Sequence, residues 1–149
     1  MSDINEAMIF SAGFGKRMHP LSTKVPKPLL KVNGKPIISY IIEDLINLNF
    51  KNIVINTHHL SERFHDELKP YSRTIKIVFE EEILDTGGGF LNAIKRNYFS
   101  NLKSPKVLIN GDVLWKKTVN SPIKNILRNW NEETMDLLLC LIKKRYFFG

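Results

Sequence analysis

The sequence predicts an α/β protein built on a Rossmann-like, mostly parallel sheet with helices on both faces. Two observations lead to this prediction. Short apolar runs alternate with apolar-periodic stretches along the 149 residues, and strands that alternate with helices favour a parallel sheet with right-handed crossovers. The loops that follow Ala12, Glu82 and Asn110 fall where such sheets bind ligands, beyond the carboxyl ends of the strands.

The predicted strands are short apolar or alternating runs. The first of them ends just before Gly13, where a glycine turn is expected to begin. In chain order, the predicted strands are Ala7–Ala12, Asn52–Thr57, Thr74–Phe79, Lys106–Asn110 and Asp136–Ile142. Cys140 lies in the last of these runs, and we expect it to be a small core residue.

The stretches between these strands predict helices. Pro36 opens the first helix, because proline fits the first turn of a helix, and apolar residues then recur on one face. Gly87–Gly89 is expected to break the chain ahead of a short helix. The other predicted helices are Ser61–Leu68, Phe90–Asn97 and Ile123–Trp130, and the apolar face of the first comprises Ile38, Ile41, Ile42 and Leu45.

Charge and composition limit the classes of function. The net charge is +7, but no acidic residue occurs between Ala7 and Ile42, so the positive charge is local. A short basic stretch suits an anionic small molecule at least as well as a duplex, and no DNA- or RNA-binding motif is present. We therefore expect no nucleic-acid partner.

The chain also lacks the sequence features of membrane and secreted proteins. No apolar run reaches the ~18 residues of a membrane span, and the first residues carry acids where a signal peptide has a basic region. Cys140 is the only cysteine, so no internal disulfide can form. We expect a cytoplasmic protein with no membrane partner, in which residues 1–149 form one domain.

The first loop carries two glycines, Gly13 and Gly15, followed by Lys16 and Arg17. Glycines after a strand let backbone N–H groups approach phosphate oxygens closely, although a plain strand-to-helix turn would explain them equally well. The loop is not a dinucleotide fingerprint, because Met18 stands where the third glycine is needed and no acid follows about 20 residues on. These departures disfavour an NAD(P) oxidoreductase.

This first loop is one of five motifs that occur along the chain. The sequence reads GFGKRMHPLS at 13–22, PKPLL at 26–30, VNGKPI at 32–37, LDTGGG at 84–89 and NGDV at 110–113. In these motifs and their spacing the chain resembles the N-terminal part of the sugar-1-phosphate nucleotidyltransferases (NDP-sugar pyrophosphorylases). The glycine triplet together with NGDV is most similar to the N-acetylmuramic acid 1-phosphate uridylyltransferase branch.

The resemblance implies an enzyme of bacterial cell-wall sugar metabolism. Such an enzyme joins a sugar 1-phosphate to the nucleoside monophosphate part of a nucleoside triphosphate, here UTP before GTP, and releases pyrophosphate. It also implies that residues 1–149 are the nucleotide-binding part of a longer domain, truncated at the C-terminus. A nucleotide-binding remnant without turnover is therefore the alternative.

The resemblance also implies roles for individual residues. Arg17 matches the arginine that holds the departing pyrophosphate, and Lys27 the lysine that contacts the phosphates near the reaction centre. Asp112 matches the Mg²⁺ ligand, and Asn110 a position that contacts the substrate. The implied nucleotide-binding residues are Ser11, Ala12, Gly13, Gly15, Lys16, Lys27, Glu80, Asp85, Thr86 and Gly87.

Glu80 stands where many relatives place a glutamine that reads the base. A carboxylate only accepts hydrogen bonds, so base-edge chemistry alone favours guanine, which offers two adjacent N–H donors, whereas the overall resemblance favours uracil. Glu80–Glu82 could instead be a solvated acidic turn.

Overall fold

The computed structural model describes residues 4–115 and 121–141. The chain divides into two compact units, with the boundary between Leu114 and Trp115. Within the described ranges, none of the helices combines the length and the apolar character that crossing a membrane requires. That residues 1–149 form one domain stays a prediction.

The first unit is organised around a sheet of four parallel strands: β1 (Glu6–Phe10), β4 (Asn52–Thr57), β5 (Ile75–Phe79) and β6 (Val107–Asn110). Their order in the sheet is β5-β4-β1-β6. The fold-class prediction is thereby confirmed, and four of the predicted strands are confirmed with small changes of boundary. A small antiparallel hairpin, β2 (Lys31–Val32) and β3 (Lys35–Pro36), lies outside this sheet.

The two central strands are buried on both faces. Met8 and Ile9 of β1 point to opposite faces, as do Val54 and Ile55 of β4, and all four are fully buried. Burial on both faces is typical of parallel sheets. It also explains why these runs are almost continuously apolar.

The helices of the first unit are α1 (Ile37–Asn47), α2 (Ser61–Glu67) and α3 (Asp85–Lys95). Pro36 immediately precedes α1, and the predicted apolar face of α1 is buried. The prediction that Gly87–Gly89 breaks the chain is wrong, because all three glycines lie inside α3. A glycine costs a helix about 1 kcal/mol relative to alanine, but at Gly89 packing leaves no space for a larger residue: a Cβ there would lie 2.8 Å from side-chain atoms of both Asn56 and Glu80.

The second unit contains α4 (Pro122–Asn129), which confirms the last predicted helix. The Ser121 Oγ accepts a hydrogen bond from the Ile123 N–H at 3.2 Å and caps this helix. The predicted strand Asp136–Ile142 is wrong for its described part, since residues 136–141 form no strand; Ile142 lies outside the described residues.

Cys140 is exposed, so its assignment to the core is also wrong. The neighbouring apolar side chains are exposed as well: Leu137, Leu139 and Leu141 are exposed by 69%, 63% and 83%. An apolar run forms a strand only when a neighbouring strand binds its N–H and C=O groups, and the composition of the run does not supply that neighbour.

Candidate functional site

A cavity of about 380 Å³ opens at the carboxyl edge of the sheet. Residues that follow β1, β5 and β6 line it together, which confirms that the three loops predicted from the sequence converge. Its lining comprises Phe10, Ser11, Ala12, Gly13, Gly15, Lys16, Arg17, Met18, Lys27, Pro28, Asn56, Ile83, Asp85, Thr86, Asn110 and Asp112. All the predicted site residues except Glu80 and Gly87 are among these lining residues.

The glycine loop after β1 packs directly on the segment that carries Lys27. Gly15 has a φ of +61°, and a Cβ there would lie 3.1 Å from the Lys27 Cβ and 3.2 Å from the Ser22 Cβ. The Ser22 Oγ donates a hydrogen bond to the Gly15 carbonyl at 2.8 Å. Both the backbone conformation at position 15 and this close approach therefore favour glycine.

Positive charge predominates among the charged residues that line this cavity. Lys16 and Arg17 are exposed on the 3-10 turn Lys16–Met18, and Lys27 is half-buried at the start of the turn Lys27–Leu29. Two carboxylates, those of Asp85 and Asp112, are also in the lining. The three cations exceed the two carboxylates, so the cavity suits an anion such as a phosphate chain.

Lys27 and Asp112, the predicted phosphate contact and the predicted metal ligand, are bound to each other. The Lys27 Nζ lies 2.6 Å from the Asp112 Oδ2, and both side chains are partly exposed. The turn that carries Asp112 is held by Gly111, whose N–H donates to the Phe10 carbonyl at 2.8 Å. A Cβ on Gly111 would lie 2.3 Å from the Ser11 Oγ and 3.0 Å from the Phe10 carbonyl oxygen, so the two loops approach each other closely at this glycine.

The residues present fit Mg²⁺ only with the help of a phosphate ligand. Within residues 4–115 and 121–141, no group of three or more His, Cys, Asp or Glu residues is arranged to hold a metal ion. Mg²⁺ is commonly bound by one or two carboxylates together with substrate phosphates. The Asp112 carboxylate at the cavity could supply one such ligand.

The N-terminus of α3 forms another part of the cavity wall. Asp85 and Thr86 line the cavity, and Asp85 has a φ of +54°. The first N–H groups of a helix have no partner within the helix and carry partial positive charge. Gly87 is exposed in the same turn but is not part of the lining.

The environment of Glu80 differs from both of those that the sequence predicted, a base-reading position and a solvated acidic turn. Its side chain is only 2% exposed, so it is not part of a solvated turn, although Glu81 and Glu82 are exposed. The Glu80 Oε1 accepts a hydrogen bond from the Asn56 Nδ2 at 2.9 Å, and Oε2 accepts from the Leu84 N–H at 3.3 Å. Base reading by Glu80 stays a prediction, and it would require the carboxylate to leave these partners.

Asn56 is the polar lining residue that the sequence interpretation missed. It lies near the carboxyl end of β4, is 2% exposed, and lines the cavity. Its Oδ1 accepts a hydrogen bond from the Ser11 N–H at 2.8 Å. A signal was present in the sequence, because asparagines at positions 52 and 56 flank the apolar run 53–55 of a strand that is predicted to be buried.

Comparisons of this chain with known proteins agree on one family. The sequence model of the family described as Nucleotidyl transferase matches residues 6–146. N-acetylmuramate alpha-1-phosphate uridylyltransferase of Caulobacter vibrioides is 28% identical over 141 residues, which are 91% of this chain and 57% of that protein. The protein of the same name from Neisseria meningitidis serogroup B is 38% identical over 73% of this chain and 47% of its own length.

Relatives with other printed names match as well. Mannose-1-phosphate guanylyltransferase catalytic subunit beta of Danio rerio is 28% identical over 73% of this chain and 31% of its own length. A solved structure of HddC from Yersinia pseudotuberculosis complexed with GMP-PN superposes with a TM-score of 0.61 at 26% identity, over 73% of this chain and 48% of that one. The chain thus spans about half or less of the length of these relatives.

Proposed function

Since this chain belongs to the nucleotidyl transferase family, we propose that it binds a nucleoside triphosphate, UTP before GTP, and transfers the nucleoside monophosphate part to a sugar 1-phosphate. The single observation that carries this proposal is the cavity in which Lys16, Arg17, Lys27 and Asp112 meet the glycine loop. An excess of cations beside exposed backbone N–H groups is suited to a triphosphate.

In the proposed reaction, an oxygen of the sugar phosphate forms a bond to the α-phosphorus. The bond from that phosphorus to the bridging oxygen breaks, and pyrophosphate leaves with the electron pair. Most of the catalysis of such a transfer comes from positioning and from neutralising charge. Arg17 would hold the leaving pyrophosphate with two N–H donors, Lys27 would contact the phosphates at the reaction centre, and Asn110 would contact the sugar phosphate.

Mg²⁺ would be held by Asp112 and by the phosphates of the nucleotide, and when bound it supplies further neutralisation of phosphate charge. The pair of Lys27 with Asp112, at 2.6 Å, uses one oxygen of the carboxylate and one of the three N–H donors of the ammonium group. Lys27 could therefore also donate to a phosphate, and Asp112 could also bind a cation through its second oxygen. We also propose that the protein works in the cytoplasm, where its substrates would be available.

UTP is placed before GTP because the uridylyltransferase of Neisseria meningitidis is 38% identical over 113 residues, whereas the guanylyltransferase of Danio rerio is 28% identical over the same number of residues. GTP is the second candidate, since a guanylyltransferase and a structure complexed with GMP-PN are both among the relatives. The proposed branch makes N-acetylmuramic acid 1-phosphate the first sugar to test.

A second candidate function is nucleotide binding without turnover. One observation favours it: the described lining of the cavity contains two carboxylates, those of Asp85 and Asp112, and the Asp112 carboxylate, the proposed metal ligand, is paired with the Lys27 Nζ at 2.6 Å. Loss of positioning can remove roughly 7–11 kcal/mol of catalysis, so a site of this kind could bind a nucleotide and still fail to transfer it.

Pyrophosphate release decides between the two candidates. The purified 149-residue chain is incubated with each of four nucleoside triphosphates and a panel of sugar 1-phosphates, with Mg²⁺ present, and nucleotide affinity is measured in parallel by calorimetry. Turnover that disappears in Asp112→Ala supports the transferase. Binding of UTP without pyrophosphate release supports the second candidate, and absence of both contradicts the proposed function.

A further inference from the structure

A chain of buried hydrogen bonds crosses from one wall of the cavity to the other. The Ser11 N–H donates to the Asn56 Oδ1 at 2.8 Å, the Asn56 Nδ2 donates to the Glu80 Oε1 at 2.9 Å, and the Leu84 N–H donates to the Glu80 Oε2 at 3.3 Å. Ser11 begins the glycine loop, and Leu84 directly precedes Asp85 at the start of α3. Two backbone segments that border the cavity are thus joined through two side chains.

The donors and acceptors of this chain can be arranged in only one order. The N–H groups of Ser11 and Leu84 can only donate, and an ionised carboxylate can only accept. The amide of Asn56 must therefore turn its oxygen to Ser11 and its nitrogen to Glu80. If the amide flipped, donors would face each other at Ser11 and acceptors would face each other at Glu80.

The surroundings keep the pair in place. Asn56 and Glu80 are each 2% exposed, and α3 approaches them so closely that a Cβ on Gly89 would lie 2.8 Å from the Asn56 Nδ2 and 2.8 Å from the Glu80 Oε1. The main chain at Glu80 is fixed as well, because the His58 Nδ1 lies 2.8 Å from the Glu80 carbonyl oxygen. Leaving a buried polar group without its hydrogen-bond partner costs more free energy than leaving an exposed one. A substitution of Asn56 or of Glu80 should therefore affect the backbone at both Ser11 and Leu84.

We propose that Asn56 and Glu80 are positioning residues that hold the glycine loop and the start of α3 at the separation that the nucleotide requires. This inference rests on the proposed function and deepens it. Neither residue needs to touch the reacting atoms. Their effect on nucleotide binding passes through the backbone at Ser11 and Leu84.

An exchange of the two side-chain types tests the proposal. Glu80→Gln places an NH₂ group opposite an N–H donor, and Asn56→Asp places a second carboxylate opposite Glu80, so each single variant breaks one link. The double variant Asn56→Asp/Glu80→Gln restores the order: the carboxylate introduced at position 56 accepts from Ser11 and from the amide introduced at position 80, and the oxygen of that amide accepts from Leu84. We expect each folded single variant to weaken UTP binding about tenfold or more, and the double variant to recover to within about threefold of the wild-type affinity.

Glu6→Gln is the matched control. Glu6 is also a buried glutamate, 3% exposed, that accepts hydrogen bonds from an asparagine and from backbone N–H groups, but it does not line the cavity. We expect Glu6→Gln to lower the Tm without changing UTP affinity. If Glu80→Gln behaves in the same way, or if a folded double variant shows no recovery, the positioning role is contradicted.

Amide hydrogen exchange, followed by NMR in the full chain without nucleotide, separates this inference from the proposed function. The coupling predicts that Glu80→Gln accelerates exchange at Ser11 as well as at Leu84, and that the double variant slows it again. Acceleration at Leu84 alone would overturn the inference whatever the chain binds. If the wild-type chain shows the coupled pattern and binds no nucleoside triphosphate, the proposed function fails and the structural link remains.

Discussion

Two buried glutamates lie at opposite ends of the same sheet. Glu6 begins β1 at the amino edge, and Glu80 follows β5 at the carboxyl edge. Each accepts a hydrogen bond from an asparagine of β4: the Asn52 Nδ2 lies 2.7 Å from the Glu6 Oε1, and the Asn56 Nδ2 lies 2.9 Å from the Glu80 Oε1. One strand therefore supplies the same kind of partner to a buried carboxylate at each of its ends.

The remaining partners make the two sites different. Glu6 also binds Lys106, whose Nζ lies 3.2 Å from the Glu6 Oε2, and the N–H groups of Ser100 and Asn101. None of these residues lines the cavity. The partners of Glu80, by contrast, continue to the glycine loop and to α3. We therefore expect a functional role only for the network of Glu80, because Asn56 and Ser11 belong to the cavity lining, and a structural role for the network of Glu6.

The largest expected effect is on stability, at the amino edge. Glu6→Ala removes the acceptor of four donors and leaves the Lys106 ammonium, 7% exposed, without its carboxylate. Breaking a buried ion pair from one side costs about 3–5 kcal/mol, so the free energy of unfolding, measured by urea denaturation, should fall by that amount. The UTP affinity of the folded protein should stay unchanged. A loss of binding free energy comparable to the loss of unfolding free energy would mean that the two edges of the sheet are coupled.

The second largest expected effect is on UTP binding, at the carboxyl edge of the sheet. Arg17→Ala should weaken UTP binding by about 1.5–3 kcal/mol, because hydrogen bonds to a charged group are lost. Since Arg17 is exposed, the Tm should hardly change. Arg17→Lys should recover only part of the affinity, because an ammonium cannot grip two oxygens in one plane. Calorimetry checks both, and an Arg17→Ala variant with wild-type affinity would remove the assignment of Arg17 to the phosphates.

Two glycines in the first part of α3 sharpen the comparison within a single helix. A Cβ at Gly89 would lie 2.8 Å from Asn56 and Glu80 atoms, whereas a Cβ at Gly87 would meet nothing within 4 Å. Gly89→Ala should therefore destabilise the protein by about 1–3 kcal/mol through overpacking, and Gly87→Ala should stabilise it by about 0.5–1 kcal/mol through helix propensity. Thermal unfolding measures both, and equal Tm changes would show that α3 does not press on the pair.

The smallest effect is the pH dependence that Glu6 adds. Burial alone raises the pKa of Glu6, but hydrogen bonds from Ser100, Asn52, Lys106 and Asn101 hold this pKa below its ordinary value of 4.5. The folded state therefore binds a proton less readily than the unfolded state. The stabilisation is fully present above pH 4.5 and is lost as the pH falls below it towards the folded pKa.

Acid unfolding measures this contribution. Between the folded and the unfolded pKa of Glu6, wild-type stability should fall with pH more steeply than that of Glu6→Gln, by at most about 1.4 kcal/mol per pH unit for one proton. Parallel slopes in the two proteins would show that Glu6 has the same pKa in both states.

Much of the fold and of the candidate site could be predicted from local sequence. Apolar runs such as that of β4 indicate buried strands wherever they occur, since a parallel strand is covered on both faces. The alternation of strands and helices then determines that loops after β1, β5 and β6 meet at one edge. Arg17, Lys27 and Asp112 could be singled out because their motifs resemble those of the nucleotidyltransferases, and the structure brings all three to one cavity.

The tertiary structure alone decided which distant segments and side chains become neighbours. The run at 136–141 lacks a strand partner, Gly87–Gly89 is inside a helix, and Lys27 pairs with Asp112 across 85 residues of sequence. Asn56 meets Ser11 and Glu80 across 45 and 24 residues, because β4 lies between β1 and β5. Local propensity acts over a few residues, whereas a hydrogen bond or a close contact depends on which distant segments the sheet order makes neighbours. The hydrogen-bond partners of Glu80 depend on that order, and the spacing of its own loop does not reveal them.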